Sequence, residues 1–175
     1  MTTLIATKLH FRTKPTHFLN NRTMVETRMK YMHRKLQRDG KLKQGFVKTV
    51  ESYISARYAR KVSDQELAQD KSHGGWYIPH HALVNPNKPG RVTVVFVCAA
   101  KYAGKSSDNH LYTEPDILNS LIGDLLRFGR DQVTLVADLE AMYPRVLVNR
   151  KDQRFRRFLW WDKGNPNSSV STYCM

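Results

Sequence analysis

The chain changes its periodicity near Gly74, and that change limits it to a mixed α+β fold. Upstream, apolar residues recur at helical spacing. Val25, Met29, Met32 and Leu36 follow at steps of four, three and four and form one stripe of an amphipathic helix. Thr23 and Glu26 predict a capping box at its start, and Gly40 predicts its stop. A second helix is expected from Gly45 to Arg57 with Phe46, Val50 and Tyr53 or Ile54 inward. Ser63 with Glu66 predicts a capping box opening a short third helix. Residues 1–19 show no period and are expected to be a leader or linker, leaving 20–175 as one domain.

Downstream of Gly74 the apolar residues gather into short β-type runs. Trp76-Tyr77-Ile78 and Ala82-Leu83-Val84 are broken by Pro79. The turn formers from Asn85 to Gly90 predict a hairpin connection into a strand over Arg91–Cys98, apolar on both faces and therefore expected to be buried. A packed helix is expected over Asp116–Phe128, with Gly129 as its stop. A buried strand over Val133–Ala137 runs into Asp138, and further strands are expected at Arg145–Val148, Phe155–Trp161 and Val170–Met175. The order is N-terminal helices, antiparallel strands, one packed helix and more strands, with no internal repeat.

Composition narrows the function classes. Hydrophobic residues make up 41% of the 175, enough for a packed core. The longest nearly unbroken apolar run, Val92–Ala100, is about half the length that crosses a bilayer, and no apolar signal segment opens the chain. Two cysteines provide neither a disulfide framework nor a zinc constellation. An intracellular setting, cytoplasmic or nuclear and without a membrane partner, is expected. Charge carries the most information. Lys and Arg total 29 against 15 Asp and Glu, and residues 1–61 hold 15 of those bases with only three acids. Such a block attracts polyanions, above all a nucleic-acid backbone, and Arg28, Arg34, Lys35 and Arg38 are its candidate contacts. A solvated basic helix surface accounts for the composition equally well, and an anionic membrane surface is the weaker third reading.

Several residues that could carry chemistry also have a plain structural role. His80-His81 would point apart in a strand, with no ligand at metal spacing. Cys98 reads as inert core, and Gly104-Lys105-Ser106 lacks the first glycine of a phosphate loop. Asp138 stands at a strand end, where a buried carboxylate needs a cation or donor nearby, and Glu140 could share its side.

From about Asn20 onward the chain resembles the fingers and start of the palm of the reverse transcriptase in BEL/Pao-type LTR retrotransposons. The matching pieces are Asn20-Asn21-Arg22, Leu36-Gln37-Arg38-Asp39, Tyr58-Ala59-Arg60-Lys61-Val62, Trp76-Tyr77-Ile78-Pro79-His80-His81 and Val84-Asn85-Pro86. They continue through Cys98-Ala99-Ala100-Lys101-Tyr102, Pro115-Asp116, Asn119-Ser120-Leu121 and Leu125-Leu126-Arg127-Phe128. Ala137-Asp138-Leu139-Glu140-Ala141-Met142-Tyr143 and Arg157-Phe158-Leu159-Trp160-Trp161 complete the series. The resemblance implies a partial right-hand polymerase fold. It implies that Asp138 is the first catalytic aspartate, binding Mg²⁺ with the Leu139 carbonyl beside it. Tyr143 would crowd the 2′ position of an incoming deoxynucleoside triphosphate, and Arg91 would meet the triphosphate. The implied partners are an RNA/DNA primer–template and the remainder of the polyprotein. Thr93, Val97, Glu114 and Pro144 depart from the family pattern, and no Tyr-x-Asp-Asp motif is present. The expectation is a truncated polymerase fragment, inactive by itself. The alternative is a non-enzymatic remnant that binds RNA or DNA without sequence preference.

Overall fold

A computed structural model describes residues 5–12, 19–69, 75–87, 90–112, 120–130, 132–133, 135 and 146–175. It is a mixed α+β arrangement. The N-terminal part runs β1 (Ile5–Thr7), α1 (Arg22–Arg38), α2 (Gly40–Ser55), β2 (Arg60–Lys61) and α3 (Asp64–Gln69). The hairpin β3 (His80–Val84) and β4 (Val92–Phe96) follows, then α4 (Ser107–His110), α5 (Leu121–Phe128), β5 (Val146–Val148), β6 (Arg157–Trp161) and β7 (Val170–Cys174).

Local chemistry sets the helix boundaries. Asn21 occupies the cap position of α1, but its side chain is engaged elsewhere: Nδ2 donates to the Tyr77 carbonyl at 2.7 Å and Oδ1 accepts the Tyr77 N–H at 2.8 Å. The Thr23–Glu26 capping box does not form, because Glu26 pairs with Arg22 at 2.7 Å instead. Asp39, not Gly40, separates the first two helices. Its backbone is extended and its carboxylate accepts the Leu42 N–H at 2.9 Å, so one residue closes α1 and caps α2. Gly40 therefore opens α2, five residues ahead of the expected start. The Ser63–Glu66 box forms as expected, each backbone N–H donating to the other side chain at 3.3 Å.

β6 is the axis of the sheet structure. β7 lies antiparallel between β2 and β6, while the Ile78 N–H donates to the Arg157 carbonyl on the opposite edge at 2.6 Å. All five β6 residues are buried. α1 and α2 pack on each other, α1 covers β6, and α2 covers the β3–β4 hairpin. Their shared core is built from Val25, Leu36, Phe46 and Val50 against Phe158, Leu159 and Trp160. Trp160 and Trp161 are thus well covered, and the Trp160 indole N–H donates to Glu51 Oε1 at 2.9 Å. Gly164 permits this closeness: its φ is +64°, and a Cβ there would stand 2.8 Å from Val47 Cγ1.

Four further expectations need correction. Residues 5–12 are not a detached leader. β1 pairs in parallel with β5, the Leu9 N–H donates to Asp152 Oδ2 at 3.1 Å, and Phe11 meets Phe155 edge-on at 4.9 Å. β4 is covered on one face only, with Val94 buried and Thr93 exposed, because a two-stranded hairpin under one helix has a solvent side. The expected packed helix begins at Leu121, and its Ile122, Leu125 and Leu126 are exposed rather than packed. Val133 and Leu135 are exposed and outside any strand. The remainder of both segments, 116–119, 134 and 136–137, lies outside the described residues.

Candidate nucleic-acid interface

α1 buries Val25, Met29 and Leu36, so the opposite side of its cylinder faces solvent. Arg28, Tyr31, Lys35 and Arg38 succeed one another along that side at steps of three, four and three, and Arg34 lies beside them. All five are exposed, and the Tyr31 ring remains 64% accessible. The Arg34 guanidinium sits 5.7 Å from the Tyr31 ring centre, a cation–π contact that holds the ring on the basic strip. The helix offers a single acid, Glu26, and Arg22 already occupies it. Asp39, just past the helix end, is committed to the Leu42 N–H. None of Arg28, Arg34, Lys35 and Arg38 has an ion-pair partner among the described residues. Lys35 and Arg38 also lie in the last turn, where the negative end of the helix dipole favours cations.

The four α1 bases proposed from the sequence therefore share one continuous exposed band. Arg91 is not part of it. It is exposed, directly precedes β4, and sits near enough to Tyr53 of α2 to oppose the burial that raises that phenol. Asp138, Leu139 and Tyr143 lie outside the described residues, as do Glu114 and Pro144. Among the described residues, no group of three or more His, Cys, Asp and Glu could hold a metal ion, and no helix is long and apolar enough to cross a membrane.

His80 has surroundings that strand alternation alone does not reveal. Its ring stacks on Phe46 at 5.7 Å and Phe96 at 5.5 Å and meets Phe158 edge-on at 5.5 Å. That apolar enclosure depresses the imidazole pKa to about 4, with His81 adding a smaller push in the same direction.

Sequence reasoning missed Tyr31, whose signal is an aromatic placed among bases on a helix face. It also missed a second basic locus. Arg150, Lys151, Arg154, Arg156 and Arg157 fall within eight residues, in a part of the chain whose acids offset them in the total charge. No protein-family model, curated protein or solved structure matches this chain.

Proposed function

We propose that the chain is part of an RNA-directed DNA polymerase of the BEL/Pao retrotransposon type, and that the outer face of α1 contacts the primer–template. The observation that carries the nucleic-acid reading is the band of Arg28, Arg34, Lys35 and Arg38 around an accessible Tyr31, lacking acidic partners among the described residues. Bases on phosphates provide affinity without sequence preference, and an aromatic adds a stacking platform for an unpaired base. The polymerase reading rests on the motif series, and it is supported by distant pieces of that series meeting. Asn21 clasps Tyr77, and His80 packs on Phe158. In this reading the finer architecture is fingers plus early palm, and Asp138 is the Mg²⁺ ligand of the intact enzyme. A single carboxylate holds a hard divalent ion weakly, so this chain alone should not extend a primer. The alternative, a binding module without catalysis, needs only the α1 face.

The test is fluorescence anisotropy with a labelled primer–template across a salt series, beside primer extension. If roughly four to six phosphates are contacted, log affinity should fall against log salt with a slope of about −3 to −5. Replacing Arg28, Arg34, Lys35 and Arg38 together by Gln should flatten that slope, whereas Tyr31→Ala should weaken single-strand binding by about 1–3 kcal/mol and leave the slope intact. Asp138→Ala should change neither. Affinity indifferent to salt, or to the fourfold variant, removes the nucleic-acid reading. Extension that depends on Asp138 would show that the chain is a working polymerase.

A further inference from the structure

A cleft of about 410 Å³ opens between β2, α3 and the turn that leads from β5 into β6. Arg60, Arg150, Lys151, Arg154 and Arg157 line it, with Glu66 as the only carboxylate among the described lining residues. Glu66 is already engaged: Arg60 donates to both its oxygens at 2.8 and 2.9 Å, and Arg150 lies 3.6 Å away. These partners, Arg60 foremost, hold its pKa down to about 2, so it stays ionised and paired at neutral pH. Asp152, in the same turn, faces the other way and accepts the Leu9 N–H at 3.1 Å. Among the described residues, the cleft therefore keeps an excess of positive charge that its carboxylates do not answer.

One of its arginines is placed where that excess is costly. Arg154 lies over the Phe155 ring at 4.8 Å, and its buried Nε has no hydrogen-bond partner among the described residues. A guanidinium withdrawn from water is stabilised when an anion supplies acceptors for it. Planar forks from several arginines suit an oxyanion with three or more acceptor oxygens better than a lone carboxylate. The volume falls in the small-molecule range of roughly 300–1,000 Å³.

We propose that this cleft binds a small phosphate-bearing anion, held by Arg150, Lys151 and Arg154. Arg60 and Glu66 form its fixed wall, and Gln153, which accepts from Arg60 Nε and Nη2 at 3.3 and 2.8 Å, keeps that wall in register. The site draws on different elements from the α1 face and does not depend on the polymerase reading.

Titration calorimetry of the full chain at low ionic strength tests it, with pyrophosphate as the probe and citrate as a carboxylate of comparable charge. Pyrophosphate should bind saturably and one-to-one, and more tightly than citrate. Arg150 and Lys151 are exposed, so Arg150→Gln with Lys151→Gln should leave the fold intact while weakening binding by about tenfold or more, the loss expected for removed charge-assisted bonds. Arg154→Gln should act in the same direction. The fourfold α1 variant should bind as the parent does. The proposal is overturned if no saturable heat develops at millimolar pyrophosphate or if citrate binds equally. It is equally overturned if the Arg150/Lys151 variant binds normally, or if the loss follows the α1 variant instead.

Discussion

The imidazole of His80 is stacked between Phe46 and Phe96 and met by the edge of Phe158, so a proton added there puts charge where ring faces are its main neighbours. Its folded pKa of about 4 lies below the ordinary histidine value of 6.5. The unfolded chain therefore takes up this proton first as pH falls, and stability drops from about pH 6.5 downward, levelling near pH 4. The loss should reach about 2 kcal/mol by pH 5. Glu66 and Asp162 have depressed pKa values and lose their contributions only below the ordinary carboxylate range, so the window between pH 7 and 5 reports His80. Urea midpoints measured across that window should decline for the parent and stay nearly level for His80→Phe; equal declines would remove His80 as the cause. The enclosure itself was not legible in the sequence. Its walls come from α2, β4 and β6, and alternation along β3 says which way His80 points but not what it meets. Asn21 hides its role in the same way, since an Asn at a helix start reads as a cap while its partner, Tyr77, stands 56 positions on.

At the scale of elements, periodicity identified what was long and half-buried. The stripe from Val25 to Leu36 and the inward Phe46 and Val50 were readable because each turn of α1 and α2 meets a common core. The turn formers after Val84 likewise marked the hairpin. Boundaries failed where a side chain served something other than its own helix, as at Asn21, or served two helices, as at Asp39. β1 failed for a different reason: three residues paired in parallel with a strand about 140 positions away carry no local signature. α5 failed because an apolar stripe announces a wish for burial without ensuring it. Ile122, Leu125 and Leu126 are 71%, 62% and 75% exposed. Replacing Ile122 and Leu126 by Lys should accordingly change stability by less than about 0.5 kcal/mol in urea unfolding, while reducing the binding of a hydrophobic dye. A large destabilisation would mean that this face is covered in solution.

Across the whole molecule, 29 bases oppose 15 acids, and the basic side chains gather at two places, the α1 face and the cleft beside β2. The first was legible because one helix carries it. The second was not, because β2, α3 and the β5–β6 turn assemble it from separate stretches. Net repulsion of this size makes screening stabilising, so raising the salt concentration toward physiological ionic strength should raise Tm, by roughly 2–5 °C. Scanning calorimetry checks the sign; a falling Tm would mean that ion pairs such as Lys61–Asp162 outweigh the repulsion. The strand order β2-β7-β6 bears on how the chain comes into being. The middle strand of this sheet is the last of the three to be synthesised. Until residues 170–174 leave the ribosome, β2 has no ladder partner and β6 lacks one of its two edges. The nascent chain must hold α1 and α2, with their apolar faces only partly answered, through more than a hundred residues of translation. A single late strand joins the two sides of the sheet, so the interval before it is the one in which unpaired edges and apolar helix faces are most open to association.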